Sequence, residues 1–321
     1  MTNISNQELN HILNHTDSLW DELRGERLFI TGGTGFFGCW FLESFLHVNQ
    51  ERKLGAKITI LSRSPENFYK KMPHLRNRKE LEWVQGDVSD FIFPAGNFSH
   101  VILAATNASA EMTRNKPGCM FRTIIEGTKH TLEFANKCGA KKILFTSSGA
   151  VYGPQPADLL KIPEEYSGGP DPLDPLSVYA EAKRAAENLC SFSLLKSTCE
   201  VKIARCFAFV GPYLPVNSHF AIGNFIADAI AGRDIIIKGD GTPLRSYLYS
   251  SDMIAWLWTI LFNGKHLRPY NVGSDISISI SELAELIARQ QSRSITIKIM
   301  KEPDITKPIE RYIPNIARAQ N

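Results

Sequence analysis

The sequence predicts an α/β architecture, an open doubly wound parallel sheet joined to a smaller C-terminal α/β lobe that binds substrate. Three observations predict it. Short apolar runs alternate with helical patterns through the first two-thirds of the chain, which is the signature of strand–helix–strand units whose parallel strands are covered on both faces. The first such run, RLFIT, feeds directly into a glycine-rich turn that opens a helix. Beyond residue 210 the alternation gives way to short strands, turns and helices, with parts of 245–273 expected to return to the main sheet.

The elements follow in order. Residues 5–23 read as one amphipathic helix, opened by a Ser5–Glu8 capping box and carrying Leu9, Ile12, Leu13, Leu19, Trp20 and Leu23 on its apolar face. His11 and His15 lie four apart on it; with no third ligand nearby they read as solvated surface histidines. Residues 1–24 thus form a helical extension, 25–208 the dinucleotide-binding domain and 209–321 mainly the second lobe. Within 25–208, RLFITGG, KITILSR, LEWVQGDV, HVILAAT, KKILFTSS and EVKIARC are strands. CWFLESFLHVN, FRTIIEGTKHTLEFANKCG and SVYAEAKRAAENLCSFSLL are the intervening helices.

The bulk composition excludes several classes. With 43% hydrophobic and 21% charged residues the chain is an ordinary globular protein, and a net charge of +3 is too weak for a nucleic-acid surface. The basic stretch YKKMPHLRNRKE, residues 69–80, carries no RNA or DNA motif and reads as a solvated helix face near a cofactor phosphate. The 6 cysteines form no CxxC pair and read as free, mostly buried thiols of a reducing compartment. No apolar run approaches the ~20 residues a membrane span needs. MTNISNQELN lacks the apolar core of a signal peptide, so a cytoplasmic location without membrane attachment is expected. The 8 histidines fall in no HExxH or Ser-His-Asp pattern, so neither a metal site nor hydrolysis is indicated.

The chemistry gathers at three places. TGGTGFFG, residues 31–38, sets Gly33, Gly35 and Gly38 in GxGxxG spacing between a strand and a helix, the context that gives a Rossmann-type dinucleotide site its meaning. Gly32, Gly35, Phe36, Phe37 and Gly38 are its candidate cofactor contacts, joined by Asp87 and Val88 after the third strand and by Ala104 and Ala105 after the fourth. The second strand ends in Ser62-Arg63-Ser64, where an NAD site usually carries an acid for the ribose 2′-hydroxyl. An arginine instead pairs with a 2′-phosphate, so NADP(H) is favoured with NAD(H) as the alternative. SVYAEAK places Tyr179 and Lys183 four apart on one helix face, where the ammonium is expected to lower the phenol pKa for proton exchange and to hold the nicotinamide ribose. Taken alone, such a pair most often marks a solvated helix surface. Ser148, ending the fifth strand in TSSGAVYG, can hydrogen-bond the same substrate oxygen.

These motifs together, TGxxGxxG, SSxxVYG and YxxxK, resemble the extended short-chain dehydrogenase/reductase family, and RCFAFVGP, GDGTPLRSYLYSSD and YNVGS resemble its nucleotide-sugar epimerase, dehydratase and reductase branch. The resemblance spans roughly residues 25–315. It implies catalytic roles for Ser148, Tyr179 and Lys183, a nucleoside-diphosphate sugar as partner, Arg245 and Asn224 as diphosphate or base contacts, and a homodimer paired through the helices at Ser177 and Thr123–Lys137. Family members usually continue into another helix past RYIPNIARAQN, and whether this C-terminus is shortened is left open.

The departures from the family are informative. Its 4,6-dehydratases carry Asp-Glu after the serine and its decarboxylases keep the glutamate; this chain has Gly149 and Ala150, which neither donate nor abstract a proton. Ile124, Ala208 and the run Arg245-Ser246-Tyr247 also depart from the pattern of the epimerases, so the sugar is left open. Three readings follow. The first is an NADPH-dependent reductase of a 4-keto, 6-deoxy nucleotide hexose. The second is a nucleotide-sugar 4-epimerase that retains NAD. The third, ranked last because Ser148, Tyr179 and Lys183 are all present, is a non-catalytic NADP-binding regulator.

Overall fold

The computed structural model describes residues 4–106, 110–195, 197–216 and 220–321. Its first half comprises helix α1 (Asn6–Thr16), strand β1 (Arg27–Thr31), α2 (Phe36–Glu51), β2 (Lys57–Ser62), α3 (Pro65–Lys71), β3 (Leu81–Gln85), β4 (His100–Leu103), α4 (Ala110–Asn115), α5 (Pro117–Lys137) and β5 (Lys142–Ser148). There follow α6 (Val178–Ser193), β6 (Glu200–Cys206), β7 (Phe209–Val210), α7 (Ala221–Ala231), β8 (Ile235–Ile237), β9 (Leu244–Arg245), β10 (Leu248–Tyr249) and α8 (Ser250–Asn263). The chain closes with β11 (Pro269–Val272), β12 (Ile278–Ser279), α9 (Ile280–Arg289), β13 (Ile297–Ile299), β14 (Arg311–Tyr312) and α10 (Ala317–Gln320).

Among the described residues, seven strands form one parallel sheet in the order β11-β6-β5-β4-β1-β2-β3. Alternation along β1 shows why the strands are apolar throughout. Leu28 and Ile30 pack with α2 and α8 on one face, whereas Phe29 packs with α5 and α6 on the other. The order reverses between β1 and β4, and the register pairs Thr31 with Leu103 and Leu103 with Phe145, so the strand ends stand level. A reversal of this kind opens a crevice at the carboxyl ends of the strands. The second lobe packs α7 and α9 around β8 and β13, with Ile222, Phe225, Ile235, Leu283 and Ile287 as its core. β12, β9 and β14 form a small separate sheet beside it.

The N-terminal segment differs from the single helix expected over 5–23. The Ser5–Glu8 capping box is present, but α1 stops at Thr16 and residues Asp17–Leu23 wind more tightly as a 3-10 helix. The Thr16 hydroxyl donates back to the Ile12 carbonyl at 2.7 Å and accepts from Trp20 Nε1 at 2.8 Å, and this turns Trp20 inward. Its ring meets Trp258 of α8 at 4.6 Å and Phe262 at 5.5 Å between centroids. Trp258 in turn donates to Ser44 of α2 at 2.9 Å. Of the two histidines, His15 is exposed as expected, whereas the partly exposed His11 is also tied down, its Nε2 lying 2.7 Å from Asp252 of α8. Nor is 69–80 one solvated helix face, because α3 ends at Lys71 and Met72 and Leu75 are buried. No described helix is long and apolar enough to cross a membrane.

Trp20 is 1% exposed, so replacing it by alanine removes a fully buried ring from the seam between the N-terminal segment and the sheet. Urea unfolding of Trp20→Ala is expected to show a loss of about 3–5 kcal/mol with an unchanged affinity for nicotinamide cofactor.

Candidate active site

The glycines of the first turn are required by what surrounds them. Gly32 has φ +73°, and a Cβ there would stand 2.4 Å from the Ala104 carbonyl carbon. The two backbones close together: Ala104 N–H donates to Thr31 O at 3.2 Å and Ala105 N–H to Thr31 Oγ1 at 3.2 Å. A Cβ on Gly38 would lie 2.2 Å from the Gly33 carbonyl carbon, so α2 rests directly on the turn. Gly35 caps the 16-residue α2 without any side-chain hydrogen bond. The amides of Phe36, Phe37 and Gly38 therefore lie at the positive end of the helix dipole, where an anion is stabilised. This cradle fits a dinucleotide.

The remaining cofactor candidates rim the same edge. Arg63 is exposed just past β2, its carbonyl accepting from Gln85 Nε2 at 3.4 Å. One oxygen of Asp87 accepts from Ser89 N–H at 3.1 Å and Ser89 Oγ at 2.7 Å, which leaves its other oxygen open. Val88 instead packs its side chain on α5, where a Cβ at Gly127 would come within 2.7 Å of it, so what it offers a nucleotide is backbone.

Ser148, Tyr179 and Lys183 come together where β5 ends against the first turns of α6. Lys183 is 3% exposed and donates to the Thr146 carbonyl at 2.7 Å, with its ammonium 4.8 Å from the Phe145 ring centre. Burial pushes its pKa down to about 8, against the pull of Cys206 and Glu187. The Tyr179 phenol moves the other way from expectation. Burial raises it to about 12, with Cys206 adding to the rise and the Ser148 hydroxyl acting against it. The helical spacing predicted a phenol lowered by its ammonium neighbour; instead the ammonium is bound to a carbonyl, and desolvation of the phenol outweighs any help it gives.

Sequence reasoning missed what surrounds this trio. A Cβ on Gly149 would stand 2.5 Å from the Tyr312 hydroxyl and 2.8 Å from the edge of the Phe207 ring. Tyr312 arrives on β14, which pairs with β9 so that Tyr312 lies opposite Arg245. Arg245 is also bound to Glu310 at 2.5 Å. Tyr312 and Phe207 pack at 4.7 Å between centroids. The Tyr312 phenol is held far above the ordinary tyrosine range by burial and then by Tyr179, while Ser148 and Arg245 act in the opposite sense. The one signal in the sequence was Gly149 itself, a glycine where the resemblance implies an aspartate in the dehydratases.

Two further groups brace the centre. Ser147 donates to Glu187 at 2.5 Å, and Arg205 grips the same carboxylate at 3.0 and 2.7 Å, locking α6 to β5 and β6. Asn271 of the YNVGS stretch is fully buried; its amide nitrogen donates to Ile162 O and Asn315 O, and its oxygen accepts from Tyr152 at 2.8 Å. Asn224 sits half-buried on α7, in the second lobe, apart from this cluster. A cavity of about 320 Å³ behind the turn, lined by Tyr152, Glu164, Arg184, Glu187 and Arg205, includes none of Ser148, Tyr179 or Lys183.

The buried ammonium carries a stability consequence. Because the folded pKa of Lys183 lies near 8 and the ordinary value is 10.5, its penalty is complete below about pH 8 and fades as pH rises toward 10.5. Thermal unfolding of Lys183→Met is therefore expected to rise by a few degrees at neutral pH, with the gain shrinking in alkaline buffer.

Comparison with known proteins agrees with this architecture. The NAD dependent epimerase/dehydratase family matches residues 28–273. The chain is 30% identical over 299 residues to UDP-glucuronic acid decarboxylase 5 of Arabidopsis thaliana, an overlap of 88% of this chain and 83% of that protein. Among solved structures it resembles a UDP-N-acetylglucosamine 4-epimerase from Methanobrevibacter ruminantium in complex with UDP-N-acetylmuramic acid, with a TM-score of 0.76 at 23% identity over 92% of this chain and 91% of that one. It also resembles a dTDP-glucose 4,6-dehydratase from Streptomyces venezuelae with NAD bound, with a TM-score of 0.74 at 20% identity over 92% and 89%. The match over 28–273, on the glycine turn and level strand ends that make up the cleft, makes this chain a member of the NAD dependent epimerase/dehydratase family of nucleotide-sugar enzymes.

Proposed function

We propose that this protein reduces a 4-keto, 6-deoxy nucleoside-diphosphate hexose by hydride transfer to C4. The observation that carries the reading is the pairing of Ser148, Tyr179 and Lys183 with a position 149 that is both without acid or base and filled by Tyr312. Hydride chemistry needs one hydride carrier and one proton donor at a single carbon. Elimination or decarboxylation at a neighbouring carbon needs further acid–base groups, and Gly149 and Ala150 supply none. One relative is named a UDP-glucuronic acid decarboxylase, which supports a sugar nucleotide as ligand; where the resemblance implies a glutamate in the decarboxylases, this chain has Ala150.

The bound nicotinamide supplies the hydride. The protein's part is acid catalysis and orientation. Tyr179, protonated at neutral pH, gives its proton to the C4 oxygen as the carbonyl becomes an alcohol, and Ser148 donates a hydrogen bond to the same oxygen. Lys183 would hold the nicotinamide ribose, Gly32, Gly35, Phe36, Phe37 and Gly38 the pyrophosphate, and Asp87 the adenine, with Val88, Ala104 and Ala105 forming the walls. Arg63, exposed where an NAD site has an acid, would pair with a 2′-phosphate, so NADP(H) is our proposed cofactor. Arg245 and Asn224 would hold the sugar nucleotide. Exposed Phe121 on α5 and Phe192 on α6 support a homodimer through those helices, and a cytoplasmic location completes the proposal.

The nucleotide released on denaturing freshly purified protein tests the reading. A protein that emerges empty and then binds NADPH more tightly than NADH supports the reductase; stoichiometric retained NAD would replace it with a 4-epimerase. Arg63→Ala is expected to weaken NADPH at least about tenfold while leaving NADH within about twofold. Tyr179→Phe is expected to lower kcat by about a hundredfold or more with cofactor affinity unchanged, in steady-state and titration measurements; undiminished function would favour a non-catalytic NADP-binding regulator.

A further inference from the structure

The partner that Arg245 already has leads beyond this reading. Arg245, on β9, is the residue proposed to hold the sugar nucleotide. Its Nη1 donates to the Leu244 carbonyl at 2.9 Å, and its Nη2 donates to the Glu310 carboxylate at 2.5 Å. A carboxylate offers a guanidinium the same chemistry as a phosphate, anionic oxygens that accept from a planar fork of N–H donors. The group assigned to the ligand is therefore held by an anion of the chain itself.

The fold delivers Glu310 to this place. β14 pairs with β9 so that Arg311 lies opposite Leu244 and Tyr312 opposite Arg245, and the Leu244 N–H donates to the Glu310 carbonyl at 2.8 Å. The backbone is thus fixed, but the side chain is open to water: that of Glu310 is 68% exposed, against 25% for Arg245. Residues 301–310 are exposed throughout. The carboxylate can therefore turn into solvent without breaking the ladder that carries Tyr312 to Gly149. An ion pair this open gains little, because water screens the attraction and two long side chains give up rotamers to keep it. A diphosphate brings more negative charge and more oxygens to the same fork, so the exchange favours the ligand.

We propose that Glu310 is a built-in competitor of the sugar nucleotide: its carboxylate occupies Arg245 until the diphosphate evicts it, and this exchange sets the affinity of the substrate site. The inference rests on the proposed role of Arg245 in holding the sugar nucleotide, here by its diphosphate. Left in place, the carboxylate takes donors that the diphosphate needs and repels its charge at close range. The measured dissociation constant is then the intrinsic one divided by the fraction of molecules whose Arg245 is free. One exposed acid outside the reaction centre thereby weakens substrate and product alike, since both carry the diphosphate.

The test is a double-mutant cycle read by calorimetry, in the full-length protein as purified, with uridine diphosphate and thymidine diphosphate as the probes. Glu310→Gln is expected to tighten the better-bound diphosphate about five- to twentyfold, as the competing charge is removed. Arg245→Ala is expected to weaken it about tenfold or more. In the Arg245→Ala background, Glu310→Gln is expected to change binding by no more than about twofold, because the competition runs through the arginine. Binding unchanged or weakened by Glu310→Gln overturns this proposal alone. So does a gain of the same size in the Arg245→Ala background, which simple charge repulsion would produce. An Arg245→Ala protein that binds like the wild type, or a wild type that binds neither diphosphate, overturns the reading of Arg245 itself. A crystal structure with the diphosphate bound supplies a second readout: Arg245 should hold phosphate oxygens with Glu310 turned away, and a Glu310 still paired to Arg245 beside the bound ligand sinks the proposal.

Discussion

One buried carboxamide holds the reaction centre in shape. Asn271 lies on β11 at the edge of the sheet, and its side chain reaches the 3-10 turn through Tyr152, the loop before α6 through the Ile162 carbonyl and the segment after β14 through the Asn315 carbonyl. Its backbone N–H donates to Glu164 at 2.9 Å. With no exposure to water, each of these groups has only protein to bond, and leaving any one unpaired costs about 1–3 kcal/mol. Segments far apart in the chain are thereby confined to one arrangement. The seats of Gly149 and Tyr312 both follow from it, since one lies on the tethered turn and the other a few residues before Asn315.

The same region spends stability on charge. Lys183 is surrounded by β5, β6 and α6, where water cannot reach it, and it keeps a single strong hydrogen bond and one aromatic face. Burial acts in opposite directions on cations and phenols, lowering the Lys183 ammonium and raising the phenols of Tyr179 and Tyr312. The result is a cluster whose groups stay protonated near neutrality. Such a site suits delivery of a proton more readily than its removal. The surrounding fold offsets the burden through the large aromatic seam of Trp20, Trp258 and Phe262 and the two-faced packing of the sheet.

Membership of the family leaves the reaction open, because its fold carries epimerases, dehydratases and decarboxylases alike. The short turn after β5, Gly149–Tyr152, is where this chain departs from the pattern the resemblance implies for dehydratases and decarboxylases. In this chain a strand from the second lobe reaches into that space, so the chemistry of the turn is set jointly by a local glycine and a distant phenol.

Sequence pattern by itself determined the doubly wound sheet, the glycine cradle between β1 and α2, the helix-face pairing of Tyr179 with Lys183 and the capping box at Ser5. These rest on interactions between residues a few positions apart, whose periods of two and about 3.6 are written directly into the chain. The tightening of 17–23 into a 3-10 helix, the upward shift of Tyr179 and the arrival of Tyr312 over Gly149 were decided by tertiary structure. Each depends on what a side chain meets after the chain has closed on itself: a tryptophan of α8, a carbonyl of β5, a strand of the other lobe. Burial and desolvation are properties of that closed surface, and no local spacing encodes them.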